Sequence, residues 1–204
     1  RGMSSAASDV YKRQTYVLIF INTYVMDKRT LQKKIAIIGL GYVGLPLALK
    51  LSLNFNVVGF DVNSKRIYSL ELGIDTTKEV NEKKLKEALK SNLSISSKED
   101  SIKDCEIFII TVPTPVTKEN KPDLTFLEGA CNTVGKIMRK NSIVVFESTV
   151  YPGVTEDFCG KILEKRSGLL NEIDFFLAYS PERVNPGDKV HTIDKITKVI
   201  SANN

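Results

Sequence analysis

The chain has 204 residues, of which 42% are hydrophobic and 26% charged, and its formal net charge is +5. These values are typical of a globular protein, and no apolar run approaches the ~20 residues that a membrane-spanning helix needs. The basic residues are scattered, without the stripe of basic and aromatic side chains that nucleic-acid binding favours, so we expect neither nucleic acid nor a membrane as a partner.

The first 25 residues are predicted to lie outside the fold. The chain does not begin with Met, and residues 9–14 resemble a translated transposon end of the kind used to prepare sequencing libraries. We therefore interpret residues 1–25 as adapter and upstream sequence and expect translation to begin at Met26. A signal-peptide core over 16–21 is the alternative, but residues 22–24 make a poor cleavage site for it.

Residues 33–61 follow the order strand, glycine turn, helix, strand, acid that a dinucleotide-binding βαβ unit requires. Gly39 is predicted to make the tight turn off the strand. Gly41 has no Cβ and so lets the backbone approach a pyrophosphate, while Gly44 lets the helix pack closely. Asp61 ends the second strand. The alternative is an ordinary α/β turn whose glycines serve only packing.

The same stretch predicts the cofactor. The N-terminus of the helix after the glycines offers unpaired N–H groups and a partial positive charge to phosphates. A carboxylate at Asp61 can accept hydrogen bonds from both hydroxyls of a ribose, and it repels a 2′-phosphate. Lys65 and Arg66 weaken this preference, because a nearby cation could receive such a phosphate. The acid at the strand end should dominate, so NAD is favoured over NADP.

Strands and helices alternate along the rest of the chain. Asn63 or Ser64 is predicted to cap a helix that ends near Leu72, and Asp123 is predicted to cap the longest helix. The other predicted elements are helices over 81–91, 123–139 and 155–166 and strands over 93–96, 106–112, 142–146, 174–179 and 196–201. This alternation predicts an α/β fold, a Rossmann-like doubly wound, mainly parallel sheet with helices on both faces.

Ligands of such sheets bind outside the carboxyl ends of the strands. Besides the glycine turn, this rule selects three segments, over 112–115, 147–150 and 180–187. Each carries polar residues or prolines where a plain loop would suffice. The sequence therefore predicts a binding site between these segments and the glycine turn.

The cysteines and the single histidine are not expected to bind metal. Cys105, Cys131 and Cys159 lack CxxC spacing and lie in apolar or helical contexts, so buried thiols of a reducing cytoplasm are expected. His191 lies in a charged loop and is predicted to be solvated. We therefore expect no metal and a cytoplasmic protein.

Five motifs together resemble the nucleotide-sugar dehydrogenases, the UDP-glucose/GDP-mannose dehydrogenase family. They are IIGLGYVGLPLA at 37–48, FDVNSKR at 60–66, VPTP at 112–115, ESTVYPG at 147–153 and SPERVNPG at 180–187. The last motif is more similar to enzymes that act on UDP-N-acetylhexosamines, with UDP-glucose and GDP-mannose as alternatives. The resemblance implies two successive NAD-dependent oxidations that convert the C6 alcohol of a UDP-sugar to the uronic acid.

The resemblance also implies roles for individual residues. Glycines Gly39, Gly41 and Gly44 would form the cofactor turn. The residues that it implies at the cofactor are, beyond those glycines, Tyr42 and Val43 at the pyrophosphate, Asp61 at the adenosine ribose, Arg66 near the adenosine end, Val112 and Thr114 along the cleft, and Ser148, Thr149 and Val150 on the nicotinamide side. The residues that it implies at the sugar are Glu182 at the reacting carbon and the backbone of Arg183, Val184 and Asn185.

Two of these residues are the candidate catalytic groups. Hydride transfer needs a proton acceptor that is reached through a water molecule, and Thr149 can hold such a water. Glu182 can act as base or acid when a thioester is hydrolysed, provided that its pKa is suitably tuned. The plainer interpretations are that Thr149 is a simple strand-end residue and that Glu182 is a loop carboxylate beside Arg183.

The resemblance covers only part of a complete enzyme. The family forms a thioester on a cysteine in a GGxCxPxD-type motif, and none of the three cysteines lies in that setting. We therefore expect residues 26–204 to be an N-terminal NAD-binding domain, truncated before the central helix and C-terminal domain and catalytically incomplete. The full-length enzyme is expected to be a homo-oligomer. A non-catalytic NAD-sensing domain is the alternative from another class, and an epimerase is disfavoured because no suitable YxxxK motif is present.

Overall fold

The apolar runs of the sequence form the strands of one sheet. A computed structural model of the protein describes residues 15–17, 33–181 and 200–202. Within them eight strands form a single sheet. The strands are β1 (Thr15–Val17), β2 (Lys34–Ile38), β3 (Asn56–Phe60), β4 (Leu93–Ser96), β5 (Ile107–Ile110), β6 (Ser142–Phe146), β7 (Phe175–Tyr179) and β8 (Ile200–Ala202).

The order of the strands explains where a ligand can enter. The sheet runs β1-β8-β7-β6-β5-β2-β3-β4, and the six strands from β2 to β7 are parallel. The chain moves outward from β2 through β3 to β4 and then returns to β5 on the other side of β2. This reversal opens a crevice between β2 and β5, as in doubly wound nucleotide-binding folds. The predicted fold is confirmed.

Helices cover both faces of the sheet. They are α1 (Gly44–Leu51), α2 (Ser64–Glu71), α3 (Glu82–Leu89), α4 (Thr125–Ile137) and α5 (Lys161–Ser167), with a 3₁₀ turn over Glu99–Ile102. Because side chains alternate along a strand, Ile35 and Ile37 of β2 pack with helices α1 to α3. Ala36 and Ile38 pack on the other face with α4 and α5. Each face therefore has its own apolar core.

Asparagine caps begin two of the helices, as their sequences suggest. The Asn63 side chain accepts hydrogen bonds from the N–H groups of Lys65 and Arg66 at the start of α2. The Asn81 side chain accepts one from Lys83 N–H at the start of α3. Helix α4 differs from its prediction, because Leu124 occupies its cap position.

The expected helix over 155–166 is two helices of different pitch. Residues Val154–Gly160 form a π-helix that passes directly into α5. Gly153 precedes it with φ of +92°, a left-handed conformation that favours glycine. This widened turn follows the loop after β6 and therefore lies at the carboxyl edge of the sheet, where π-helical turns often accompany functional sites.

The outer edge of the sheet is antiparallel. Strand β8 pairs with β7, and β1 pairs with β8 from Thr15↔Ala202 to Val17↔Ile200. The short strand β1 lies within the residues that the sequence places outside the fold, and the origin of residues 1–25 stays a prediction. Among the helices of the described residues, none combines the length and apolar character that crossing a membrane demands.

Replacing Asn81 by Ala should lower the free energy of unfolding by about 1 kcal/mol, because the first turn of α3 loses its side-chain acceptor. Urea denaturation measures the change. The control is Ser91→Ala, just beyond the same helix at an exposed position, where we expect a change within ~0.5 kcal/mol. Equal losses in the two variants would contradict the capping role of Asn81.

Candidate functional site

The residues expected at the cofactor lie along the carboxyl edge of the parallel strands. Ile38 of β2 pairs with Phe60 of β3 and with Ile110 of β5, so these three strands end level with one another. The residues that follow them, Gly39, Asp61 and Thr111, are thereby brought to one edge. The sheet reverses its order between β2 and β5, and the glycine turn therefore stands at the crevice.

Gly39 makes the turn in the way its sequence position predicts. Its φ is +97°, which side chains rarely adopt, and an added Cβ would lie 3.3 Å from Val112 Cγ1. The Gly39 N–H donates to Phe60 O at 2.8 Å. The Thr111 hydroxyl donates to Gly39 O at 2.8 Å and lies 3.1 Å from Ile38 O. The first peptide of the turn is therefore fixed from two neighbouring strands.

The other two glycines of the turn face different surroundings. A Cβ on Gly44 would lie 1.9 Å from Gly39 O and 2.4 Å from Thr111 Oγ1, so α1 can begin here only with glycine. A Cβ on Gly41 would meet no atom of the described residues within 4 Å. Gly44 is thus required by packing inside the protein, whereas the space above Gly41 is open to a ligand.

The Leu40 peptide between these glycines is held at both ends. Its N–H donates to Asp61 Oδ2 at 2.9 Å, and its carbonyl accepts from Arg66 Nε at 2.9 Å. Its side chain is fully buried and fills the space over Gly59, where an added Cβ would lie 2.8 Å from Leu40 Cδ2. Asp61 and Arg66 therefore fix the centre of the turn.

The turn leaves three N–H groups unused at the start of α1. Within the described residues, the N–H groups of Gly41, Tyr42 and Val43 form no hydrogen bond, and no side chain caps α1. Free N–H groups at a helix N-terminus bind anions because they combine hydrogen-bond donors with the positive end of the helix dipole. Together with the open space above Gly41, they fit the pyrophosphate of a dinucleotide.

Asp61 supports the turn in addition to standing where a ribose is expected. Its Oδ1 accepts from Asn63 N–H at 2.9 Å, and its Oδ2 accepts from Leu40 N–H. A carboxylate oxygen can accept more than one hydrogen bond, so both oxygens retain capacity for hydroxyls. The carboxylate is oriented by the backbone before any ligand arrives.

Arg66 is held inside the protein by three different partners. Besides Leu40 O, its guanidinium donates to Thr76 Oγ1 at 2.9 Å through Nη1 and pairs with Asp75 Oδ1 at 2.8 Å through Nη2. Only 9% of the Arg66 side chain and 1% of the Asp75 side chain are exposed. Arg66 therefore links the glycine turn to the loop that follows α2.

The Asp75 carboxylate organises that loop. Oδ1 accepts from Thr77 N–H at 3.0 Å and from the Thr77 hydroxyl at 2.7 Å, in addition to Arg66. Oδ2 accepts from the N–H groups of Glu79 and Val80, both at 2.9 Å. Burial opposes ionisation, but the hydrogen bonds from Thr77 and Val80 and the pairing with Arg66 outweigh it, so the pKa of Asp75 lies below its ordinary value.

The second wall of the crevice joins the loops after β5 and β6. The Ser148 hydroxyl donates to Val112 O at 2.5 Å, and the Thr114 hydroxyl donates to Thr149 O at 2.6 Å. Ser148 is buried, Val150 is partly buried, and Thr149 is exposed. The structure thus brings together the predicted residues of both loops. Val112 also lies against Gly39, where an added Cβ would be 3.3 Å from Val112 Cγ1.

The predicted sugar-side residues lie outside the part of the chain that the structure describes. Glu182, Arg183, Val184 and Asn185 all follow Pro181, where the described stretch after β7 ends. The predicted position of His191 is likewise outside it. Ser180, the first residue of that motif, is buried, and its N–H donates to Phe146 O at 2.9 Å.

Sequence reasoning missed two residues of the site, Thr111 and Asp75. Thr111 is the polar residue that ends the apolar run of β5, and this position beside the glycine turn was a usable signal. Asp75 begins an Asp-Thr-Thr stretch, which is typical of a turn closed by an aspartate side chain. Neither pattern reveals the partner in the glycine turn or on α2, because the partner of Thr111 lies 72 residues away and the pairing of Asp75 with Arg66 depends on the fold of the loop between them.

The thiols are buried, as predicted. Cys131 and Cys159 are fully buried, Cys105 is 2% exposed, and none forms a disulfide. Burial raises the pKa of the Cys105 thiol to about 11. The hydrogen bond between Cys131 and Cys159, together with burial, raises the pKa of the Cys131 thiol. Within the described residues, no group of three potential metal ligands is present.

Comparison of the sequence with protein families gives a match over most of the chain. The model of the NAD binding domain of the UDP-glucose/GDP-mannose dehydrogenase family matches residues 33–204. The UDP-N-acetyl-D-glucosamine 6-dehydrogenase of Pseudomonas aeruginosa is 52% identical over 168 residues, which are 82% of this chain and 39% of that protein. Protein CapL of Staphylococcus aureus is 52% identical over 171 residues, 84% of this chain and 40% of that protein.

Solved structures with the same fold give the same result. The UDP-D-ManNAc dehydrogenase of Pyrococcus horikoshii has a TM-score of 0.71 and 38% identity, covering 76% of this chain and 37% of that one. A ternary complex of GDP-mannose dehydrogenase from Pseudomonas aeruginosa has a TM-score of 0.70 and 29% identity, covering 78% and 37%. The chain spans about two fifths of the length of the curated relatives it matches.

Replacing Gly41 by Ala should mainly weaken NADH binding, whereas replacing Gly44 by Ala should mainly lower the stability of the fold. Gly41→Ala should fold with a stability within ~0.5 kcal/mol of wild type and weaken NADH binding about tenfold or more, because its methyl group occupies the open space. Gly44→Ala should lose about 3 kcal/mol or more of stability through its collision with Gly39 O. Urea denaturation and NADH fluorescence titration measure both quantities. Full NADH affinity in Gly41→Ala would contradict this arrangement.

Asp75→Asn should remove a pH-dependent part of the stability. Because the folded pKa of Asp75 lies below its ordinary value of 3.8, the ionised carboxylate stabilises the fold at higher pH. That stabilisation is lost as the pH falls through the folded pKa. The gap in unfolding free energy between wild type and variant should therefore be constant near neutral pH and shrink below about pH 4. Denaturation between about pH 7 and pH 3 tests it, and a gap that does not change would count against it.

Proposed function

Since the chain belongs to the UDP-glucose/GDP-mannose dehydrogenase family through its NAD-binding domain, we propose that it forms the cofactor half of a nucleotide-sugar 6-dehydrogenase. The observation that carries this proposal is the set of three free N–H groups on Gly41, Tyr42 and Val43 beside the oriented carboxylate of Asp61. The reaction is the oxidation of the C6 alcohol of a UDP-sugar to a uronic acid. The two steps remove four electrons and add one oxygen from water.

The sugar is proposed to be that of a UDP-N-acetylhexosamine, namely N-acetylglucosamine or N-acetylgalactosamine. Two features support this class over UDP-glucose or GDP-mannose. The SPERVNPG motif is more similar to enzymes of the first class. The relative from Pseudomonas aeruginosa at 52% identity is named a UDP-N-acetyl-D-glucosamine 6-dehydrogenase.

The glycine turn is proposed to hold the cofactor by its phosphates. The N–H groups of Gly41, Tyr42 and Val43 would donate to the pyrophosphate, and the dipole of α1 would add attraction. Asp61 would accept from the hydroxyls of the adenosine ribose. Arg66 would contribute by holding Leu40 rather than through a free charge, because its nitrogens already have partners. When bound, NAD supplies the hydride acceptor for each oxidation.

The second wall is proposed to position the reacting end. Val112 and Thr114 would line the cofactor cleft, and Ser148, Thr149 and Val150 would lie on the nicotinamide side. Hydrogen bonds that join the two loops support this arrangement. The hydroxyl of Thr149, an exposed residue, would hold a water that receives the proton of the C6 alcohol.

The residues around Glu182 are proposed to act on the sugar. Glu182 would serve as acid or base at the reacting carbon, and the backbone of Arg183, Val184 and Asn185 would contact the sugar. These roles rest on the SPERVNPG motif alone.

Residues 1–204 are proposed to bind the cofactor without completing the reaction. The family's thioester requires an accessible cysteine, and the thiols of Cys105, Cys131 and Cys159 are buried. Complete members are proposed to be cytoplasmic homo-oligomers in which a further segment supplies that cysteine and grips the nucleotide.

The 204-residue chain should bind NADH and show no turnover. Fluorescence titration with NADH measures binding, and absorbance of NADH formed from NAD with UDP-N-acetylglucosamine measures turnover. Saturable binding without turnover is expected. Failure of the folded chain to bind NADH would refute the cofactor role, whereas turnover would refute the proposed need for another cysteine.

The substrate class is tested on a longer chain that contains these residues and a GGxCxPxD-type segment after them. Such a chain should show a higher kcat/KM for UDP-N-acetylglucosamine or UDP-N-acetylgalactosamine than for UDP-glucose and GDP-mannose. Replacing the cysteine of that segment by Ala is the control, and it should abolish uronic acid formation. A preference for UDP-glucose would exclude the proposed substrate class while leaving the cofactor role intact.

A further inference from the structure

Arg66 and Asp75 form a nearly buried ion pair directly behind the cofactor turn. The Arg66 Nη2 to Asp75 Oδ1 distance is 2.8 Å, and the exposed fractions of the two side chains are 9% and 1%. A buried pair of this kind adds little net stability, because removing two charges from water offsets most of their attraction. Its position is therefore of more interest than its energy.

The ion pair lies next to Asp61, the residue expected to bind the adenosine ribose. Leu40 N–H donates to Asp61, and Leu40 O accepts from Arg66, so both side chains bind the backbone of the same residue. Asn63 strengthens this proximity, since its N–H donates to Asp61 Oδ1 while its side chain accepts from Arg66 N–H. A phosphate on the ribose 2′-oxygen would therefore come close to both Asp61 and the Arg66 guanidinium.

Arginine in such a position is the usual receptor for a 2′-phosphate. In this protein Nε and Nη1 of the guanidinium donate hydrogen bonds to Leu40 O and Thr76 Oγ1. The buried Nη2 forms an ion pair with Asp75 Oδ1 at 2.8 Å but makes no hydrogen bond. The Asp75 carboxylate balances the positive charge of the guanidinium, and only 9% of the Arg66 side chain is exposed. Little of this cation is therefore available to a ligand.

We propose that Asp75 is a specificity-determining positioning residue, which selects NAD over NADP by holding Arg66 against Leu40 and neutralising its charge. Asp61 repels a 2′-phosphate directly, and Asp75 keeps the Arg66 guanidinium from pairing with that phosphate. The proposal rests on the dinucleotide-binding role of the turn. It differs from a purely structural role for Asp75 in the loop over 75–80, which would affect both nucleotides equally.

The test compares the dissociation constants of NADH and NADPH for Asp75→Asn and wild type. Asparagine has the same shape and retains one acceptor oxygen, but it frees the charge of Arg66. The ratio of the NADPH constant to the NADH constant should fall by about three- to tenfold, because a doubly charged phosphate gains from the unbalanced cation. Thermal denaturation of each protein verifies that it is folded.

Two further variants give the controls. Asp104→Asn breaks an exposed ion pair with Arg139 before β5, at the opposite edge of the sheet, and should leave the ratio unchanged. Arg66→Gln combined with Asp75→Asn removes the cation as well, and the gain for NADPH should then disappear. Persistence of the gain in this double variant would show that Arg66 is not the receptor and would overturn the proposal.

The remaining outcomes also decide the matter. An Asp75→Asn protein that binds both nucleotides more weakly with an unchanged ratio would show that Asp75 has only a structural role and would overturn the proposal.

If that variant fails to fold, Arg66→Lys is measured instead, since a lysine cannot bind Leu40 O and Asp75 together as the guanidinium does. It should also lower the ratio, and an unchanged ratio would overturn the proposal. Failure of wild type to bind NADH would instead refute the dinucleotide role on which the proposal rests.

Discussion

The fixed position of the Leu40 peptide is the constraint on which the site depends. Leu40 lies between two glycines, where the backbone would otherwise be free to adopt several conformations. Its N–H is held by Asp61, its carbonyl by Arg66, and its side chain by the core over Gly59. With Leu40 fixed, the N–H groups of the next three residues form no hydrogen bond within the described residues and are free to meet an anion.

The constraint is assembled from distant parts of the chain, which makes the site a product of the whole sheet. Asp61 follows β3, and Arg66 is placed by α2 and held by the loop at Asp75. Thr111 follows β5 and fixes Gly39 O. Each hydrogen bond contributes about 1 kcal/mol net, so their main effect is orientation rather than stability. A disturbance in any of these segments therefore reaches the cofactor turn.

Local patterns were sufficient to predict the parallel strands and most helices of this fold, together with the turn at Gly39 and the close packing at Gly44. The alternation of apolar runs predicted the parallel sheet, and Asn63 capped its helix as expected. The partners of Thr111 and Asp75 could not be predicted in this way. Thr111 meets Gly39 only through the strand order, and the pairing of Asp75 with Arg66 depends on how the loop after α2 folds back on that helix. The π-helix was missed for another reason. Its residues fit an ordinary helix equally well, and only the geometry after Gly153 reveals the wider turn.

The groups proposed for cofactor binding and those proposed for catalysis lie on different segments of the chain. Every group proposed to hold the pyrophosphate comes from residues 39–66, where Asp61 and Arg66 fix the Leu40 peptide. Thr149, which is proposed to hold the catalytic water, follows β6 and is exposed, whereas the three thiols lie inside one apolar core. A thiol that is buried with a raised pKa is a poor nucleophile, because the reactive form is the thiolate. The three thiols, which are buried in one apolar core, are therefore set apart from the exposed groups of the crevice.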